Sequence, residues 1–370
     1  MKSVLFLIPI LGGGGAERVL VNLVNNIDKT KYRITVQTLF DVGVNRQYLN
    51  KDIEYIPGFK KQFSGNVIFF KLFSPKALYR RIVKKKYDIA VSYLEGPTAR
   101  IIAGCPYSDS KLISWIHVEQ LSEKAASYAF KSYQEASECY NKYDITVCVS
   151  ETVKKDFTSI FEINNPCTVL YNTNEDAYIK QKGKEKVEDL TFSEDINIVS
   201  VGRLRKEKGY DRLINVHKRL LDRGIKNQIY VIGAGSEENA LKSQINACGV
   251  DGTFHLIPFK DNPYKYVANA DLFVCSSRRE GFSTAVTEAL ILGIPVVSTE
   301  CSGAKELLGE NNEYGIVVEN NEEGVYEGLK KMLADPCLLK YYKEKATERG
   351  GFFSKEKTVT AVEEMFDKLC

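Results

Sequence analysis

At 370 residues the chain is longer than one ordinary domain and fits two of about 150–200 residues each. A hydrophobic content of 44% and a charged content of 27% describe a folded chain with ample core, which excludes a disordered or fibrous protein. The net charge of +3 is too small for a generic nucleic-acid binder, and no apolar run is long enough to read as a membrane-spanning helix. The nine cysteines are scattered without a Cys-x-x-Cys pair, which suits reduced, buried thiols better than disulfides or zinc and implies a cytoplasmic location. The opening MKSVLFLIPILGGGGAERVL lacks a basic leader, and its glycines run straight into helix-forming sequence, so it reads as a first strand and loop rather than a signal peptide.

In chain order, buried-strand patterns alternate with helical ones, as in a parallel sheet wrapped by helices. Val4–Pro9 reads as a strand and Ala16–Ile27 as the helix after it. Arg33–Leu39, Ile89–Tyr93, Lys111–Trp115, Ile145–Ser150 and Thr168–Tyr171 read as further strands. Residues 173–195 include QKGKEKVED, charged and poor in apolar residues, and are predicted to be a linker or hinge. A second series follows. Its strands are Ile196–Val201, Gln228–Ile232, Thr253–Ile257, Leu272–Cys275, Ile294–Ser298 and Gly315–Val318, and its helices are Tyr210–Arg223, Glu237–Cys248 and Ser283–Leu292. The tail from Leu338 reads as two charged amphipathic helices, the last of which, about 354–370, is expected to pack back on the first domain. The expected organisation is α/β: a first domain over 1–172 and a second over 196–353, both doubly wound, with ligands beyond the carboxyl ends of the strands in the cleft between them.

Charge is unevenly placed. Residues 1–172 carry 23 Lys+Arg against 16 Asp+Glu, and much of the excess lies in Phe69–Lys86. There Phe69, Phe70 and Phe73 precede Lys76, Arg80, Arg81, Lys84, Lys85 and Lys86. Aromatics followed by a basic helix can lie on an anionic membrane, each cation adding roughly 1 kcal/mol near the surface. A solvated helix with a buried Leu78/Ile82 stripe is the alternative.

Three segments carry residues suited to chemistry. Gly12–Glu17 follows the first strand, where glycines let backbone approach a phosphate or sugar and a helix N-terminus offers free N–H groups. It is not the spacing of a nicotinamide site, and a plain strand–helix turn is the other reading. Arg203 and Lys208 stand five residues apart in VGRLRKEKG, at the end of the first strand of domain two. They can converge on a diphosphate, or both be solvated loop cations. In SSRREGFSTAVTE a strand end, a loop and a helix start succeed one another, so the helix amides can hold a phosphate. Glu280 and Glu288 lie eight apart, one on the loop and one in the helix, and can reach different parts of one ligand; surface charges would show the same spacing.

Taken together, EGFSTAVTEAL, VGRLRKEKGYDRLI, LIPFKDNPYKYVANADLFVCSSRREGF, ALILGIPVVSTECSGAKEL, GGGGAERVLVNL and Trp115-Ile116-His117 resemble the retaining, family 4 glycosyltransferases of the GT-B fold. The resemblance covers essentially the whole chain and is strongest to bacterial capsule, exopolysaccharide and O-antigen enzymes. It implies two Rossmann-like domains facing across a cleft, an acceptor-binding one and a donor-binding one. It implies that Glu288 holds the ribose hydroxyls, that Glu280 faces the donor sugar, and that Arg203 and Lys208 neutralise the departing diphosphate. Backbone amides over Gly281, Phe282, Ser283, Thr284, Ala285 and Val286 would assist from the helix end, and Gly14 and Gly15 from the first domain. His117 would sit by the donor sugar, Phe259 and Lys260 would flank the base, and Asn172 would lie at the hinge. Pro258-Phe259-Lys260 stands where many relatives carry a glycine, which leaves the base unassigned between UDP, the favoured one, and GDP.

A lone histidine after an apolar strand, as His117 is, is otherwise often structural; His217, on a helix, and His255, within a strand, are expected to be structural. No clustered His/Asp/Glu set suggests a metal, so no cofactor and no metal are expected. The implied partners are a nucleotide-sugar donor and a lipid-linked or glycan acceptor at the inner face of the cell membrane, with no nucleic acid. A nucleotide-sugar epimerase or a non-catalytic nucleotide-sugar-binding subunit are the alternatives. The first would need acid/base groups beyond His117, and the second would fit a chain lacking Glu280, Lys208 or His117.

Overall fold

The structure, a computed structural model, describes all residues from Met1 to Cys370. The chain divides into two compact units, Met1–Asn174 with Lys355–Cys370, and Glu175–Ser354.

The first unit is built on seven parallel strands: β1 (Lys2–Ile8), β2 (Tyr32–Thr38), β3 (Glu54–Ile56), β4 (Ile89–Tyr93), β5 (Lys111–Ile116), β6 (Ile145–Cys148) and β7 (Cys167–Val169). Their order is β3-β2-β1-β4-β5-β6-β7. β1 lies inside the sheet, third of its seven strands, and Val4–Ile8 is an unbroken apolar run buried on both faces, each side chain 0% exposed. Burial of a side chain of this kind contributes roughly 1.5–3 kcal/mol. The three-residue edge strand β3 escapes the sequence reading, since Glu-Tyr-Ile is too short to show a period. The terminal helix Lys355–Leu369 closes this unit: Phe366 sits edge-on to Tyr32 at 5.5 Å, and the Tyr32 hydroxyl donates to Asp367 at 2.5 Å.

The second unit holds six parallel strands: β8 (Ile196–Val201), β9 (Asn227–Ile232), β10 (Phe254–Ile257), β11 (Leu272–Cys275), β12 (Val296–Thr299) and β13 (Ile316–Val318). Their order is β10-β9-β8-β11-β12-β13. In both sheets the order reverses beside the first strand, at β1/β4 and at β8/β11. Such switch points open a crevice beyond the strand ends, because the connecting helices leave to opposite faces.

The segment read as a linker is structured. Asp176–Gly183 is a helix with Ile179 buried, and the charged stretch behind it is tied down by Lys260–Asp189 at 2.6 Å and by the Tyr266 hydroxyl donating to Asp189. One buried isoleucine in eight residues gives little apolar signal, and of the charges that suggested solvent only Asp189 and Glu185 find partners distant in sequence, in Lys260, Tyr266 and Asn262.

Candidate functional site

In the second unit the site grows from the ends of the adjacent strands β8 and β11. The chain leaves β8 through Gly202–Lys208, and Gly209 starts the helix Tyr210–Asp222 at φ 66°. A Cβ there would stand 2.1 Å from the Ser276 carbonyl, so only glycine lets the two loops touch. The contact is locked by buried Arg212, which donates to the carbonyls of Ser276 (2.6 Å) and Ser277 (2.7 Å), and by Ser276 Oγ donating to the Lys208 carbonyl (3.0 Å). Arg278 bridges the same loops, with both guanidinium ends on Asp211 at 2.7 Å.

This scaffold brings Lys208 and Glu280 together. The Lys208 Nζ stands 2.5 Å from Glu280 Oε1, which also accepts from Ser277 Oγ at 2.6 Å. Burial pulls the ammonium pKa down, but the Glu280 carboxylate outweighs it and the net shift is upward, so Lys208 is a cation at neutral pH. A small recess bounded by Ser200, Lys208, Tyr210, Ser277, Glu280 and Ser283 lies around the pair. Arg203, on the same loop, is exposed.

The helix Thr284–Ile291 begins beside Glu280. Ser283 caps it, its Oγ accepting the Val286 N–H at 3.4 Å, which leaves the first-turn amides of Thr284 and Ala285 for an anion. Of the amides predicted to face phosphate, that of Val286 is therefore already engaged. The Phe282 ring is buried 6.1 Å from Phe353 and acts as core. Glu288 lies in the second turn, half-buried, with the Tyr264 hydroxyl 3.4 Å from Oε1. Phe259 is 65% exposed, whereas Lys260 is paired with Asp189. Of the residues the sequence singled out, Lys208, Glu280 and the 283–286 helix end share one place. Ser277, quoted within its motif, and Arg212 were given no role: a serine at a strand end and an arginine inside a helix carry no signal until the loops meet.

In the first unit, His117 follows β5 and is 6% exposed, its Nε2 without a hydrogen-bond partner. Its ring lies 4.6 Å from that of Tyr93 and 6.3 Å, stacked, from Trp115. Burial lowers its pKa to about 3, so the imidazole is neutral at neutral pH. The Tyr93 hydroxyl and Trp115 Nε1 are buried without partners in the same cluster. His117 also donates its backbone N–H to Glu95 Oε2 at 2.9 Å. Gly14 is the N-cap of the helix Gly15–Asn26 and makes no side-chain capping bond, and the Glu17 carboxylate folds back over it, 2.2 Å from where a Gly14 Cβ would stand. Asn172 is buried, its carbonyl accepting from Asn174 Nδ2 at 3.1 Å. The other histidines are satisfied internally: His217 by Asn227 (2.9 Å) and Thr253 (2.8 Å), His255 by Gln228 (3.0 Å).

In the basic segment of the first unit the helix Pro75–Ile82 buries Leu78 and half-buries Ile82 while Lys76, Arg80, Arg81 and Lys84 stay in solvent, as in the solvated-helix alternative. Phe70 is buried, and Phe69 packs edge-on against Phe63, Phe70 and Phe73. Fully buried Arg100 donates to the carbonyls of Phe70 and Phe73 (both 2.8 Å) while paired with Glu135. The apolar side chains left in solvent are Ile68 (68% exposed) and Leu72 (72%). Lys85 and Lys86 are paired with Glu54 and Asp109, and Lys76, Arg80 and Lys84 are exposed. No helix is long and apolar enough to cross a membrane.

Two doubly wound units, with Lys208 and Glu280 of the second at its β8/β11 switch point, define a GT-B glycosyltransferase architecture. Residues 13–173 match Glycosyltransferase Family 4 and residues 181–349 match Glycosyl transferases group 1, and the chain belongs to these two-domain glycosyltransferases. It is 28% identical over 368 residues to the N-acetylgalactosamine-N,N'-diacetylbacillosaminyl-diphospho-undecaprenol 4-alpha-N-acetylgalactosaminyltransferase of Campylobacter jejuni, covering 96% of this chain and 97% of that protein. It is 25% identical to the O-antigen biosynthesis glycosyltransferase WbnH of Escherichia coli, covering 98% of both. The Anabaena Alr3699/HepE structure in complex with UDP superposes with a TM-score of 0.79 over the whole of both chains at 17% identity, a likeness of fold.

Proposed function

We propose that this enzyme moves a sugar from a UDP-sugar to a hydroxyl of a lipid-linked or polysaccharide acceptor in bacterial surface glycan synthesis, with retention at the anomeric carbon. The observation that carries the reading is the Lys208–Glu280 pair beside the uncommitted amides of the helix Thr284–Ile291. A cation, a carboxylate and a helix N-terminus within one recess suit a ligand that is anionic at one end and hydroxylated at the other. The acceptor class and an α product are supported by the name of the Campylobacter relative, and UDP by the ligand of the Anabaena structure.

In this reading the bond between the anomeric carbon and the β-phosphate oxygen breaks while the acceptor oxygen bonds to the same face. The acceptor's proton passes to the departing phosphate oxygen. Lys208 and Arg203 hold the charge that develops there, with the Thr284 and Ala285 amides. Glu280 orients the sugar hydroxyls, Glu288 the ribose, and the neutral His117 ring meets a sugar hydroxyl. Positioning and charge stabilisation supply the rate, since no side chain is asked to move a proton. Phe259 flanks the base beside Lys260, and Asn172 lies near the junction of the units. The cations of the site take the place of a metal, so transfer is metal-independent. The enzyme works at the inner face of the cell membrane, held there by the segment Phe69–Lys86 and its neighbours.

Thermal shift with UDP, GDP, ADP and CDP, each with EDTA, tests this reading on wild type and Glu288→Ala. UDP is expected to raise Tm in wild type and not in the variant. Stabilisation only when a divalent cation is added would reject metal independence, and equal stabilisation of both proteins would remove Glu288 from the ribose.

A further inference from the structure

The chain reverses at the end of β4 in a way its sequence does not require. Leu94 has φ 153°, a conformation that disfavours a residue with a Cβ, and Gly96 has φ 93°. The strain is held by two buried hydroxyls: the Leu94 carbonyl accepts from Thr98 Oγ1 at 2.7 Å and from Ser92 Oγ at 2.9 Å. A Cβ on Gly96 would lie 2.5 Å from the Tyr128 hydroxyl, so the turn is also closed from outside. Strain of this kind persists where the surroundings over-determine it, and it marks positions at which a side chain has been aimed.

What it aims is Glu95. Tyr93 pairs with Trp115 across the parallel strands β4 and β5, so two residues further on Glu95 comes opposite His117. The Glu95 carboxylate accepts the His117 backbone N–H at 2.9 Å, and the N–H groups of Val118 and of Glu95 itself also face it. Burial pushes this carboxyl up from its ordinary range against the pull of those amides, so the group sits where its charge is costly. A solvated chain end after β5 would need none of this. The β5–loop junction is instead gripped at His117, whose Nε2, like the neighbouring Trp115 Nε1, is left unpartnered beside Tyr93.

We propose that Glu95 is a positioning residue: by holding the His117 backbone N–H from a strained turn, it fixes the direction of the His117 ring and carbonyl toward the donor sugar. The inference rests on the proposed contact of His117 with that sugar. It assigns Glu95 no contact with substrate. The carboxylate acts through the backbone, so a neutral acceptor of the same shape should serve almost as well.

The test uses the full-length enzyme and the variants Glu95→Ala, Glu95→Gln, His117→Ala and the Glu95→Ala/His117→Ala double. Nucleotide release is followed with UDP-glucose, UDP-galactose, UDP-N-acetylglucosamine and UDP-N-acetylgalactosamine, and backbone hydrogen exchange is followed over residues 112–120. Glu95→Ala should lower kcat at least tenfold with KM changed less than threefold, and Glu95→Gln should restore most of it. In the His117→Ala background the same Glu95 substitution should cost less than threefold more. Exchange at the His117 amide should quicken in Glu95→Ala but not in Glu95→Gln, a readout that needs no turnover. Full turnover in Glu95→Ala, unchanged exchange at His117, or losses that multiply in the double variant would each overturn the inference. Unchanged turnover in His117→Ala, with quickened exchange in Glu95→Ala, would instead reject the proposed role of His117 and leave the grip of Glu95 on the loop standing.

Discussion

Lys208 Nζ lies 2.5 Å from Glu280 Oε1, and Ser277 Oγ reaches the same oxygen at 2.6 Å. The pair joins two loops 72 residues apart in sequence. It places a cation and an acceptor-only carboxylate side by side at a strand-order switch point, where an anion binding to the lysine leaves the carboxylate free for hydroxyls.

The first prediction concerns that pair. Lys208→Ala should lower kcat by about 100–1000-fold, as removal of a contact to developing negative charge does. It also leaves Glu280 partly buried without its cation, so Lys208→Ala should melt lower than Lys208→Ala/Glu280→Gln, in which the orphaned charge is gone too. Melting curves of the two variants, alongside steady-state nucleotide release, check both parts. A double variant less stable than the single would show that the pair holds no such strain.

The second prediction follows from His117. Burial lowers its pKa from 6.5 to about 3, and that of His217 to about 4. The unfolded chain therefore takes up these protons first. The stability they carry is fully present above pH 6.5 and declines as the pH falls toward 3, by up to about 1.4 kcal/mol per pH unit for each group. His117→Gln should flatten the fall over pH 6–4 in chemical denaturation, and parallel curves for the two proteins would contradict it.

The third concerns the membrane. Phe70 is core, while Ile68 and Leu72 stand in solvent one helical turn apart, with Lys76, Arg80 and Lys84 following. Ile68→Asp/Leu72→Asp should cut sedimentation with vesicles containing anionic phospholipid by at least fivefold and leave Tm within a few degrees. Raised salt should weaken wild-type binding, because the cations act through a screened surface potential. Binding unaffected by both changes would place the contact elsewhere.

The strand and helix series was legible in the sequence because buried parallel strands are unbroken apolar runs, such as Val4–Ile8, and need no partner to be recognised. The motif carrying Glu280 and Glu288 was legible because a strand end, a glycine-containing loop and a helix cap follow one another within a few residues. What the tertiary structure decided lies in contacts between segments far apart. Lys208 meets Glu280, Arg212 clamps the Ser276 and Ser277 carbonyls, and Glu95 grips His117, each across 22 to 72 residues of chain. The same holds for Phe70, whose carbonyl accepts from Arg100, and for the charged stretch after Gly183, anchored through Asp189. Local periodicity reports which way a side chain faces within its own element. Only the closed fold decides which distant polar group satisfies it, because a buried donor or acceptor must find its partner wherever the packing brings one.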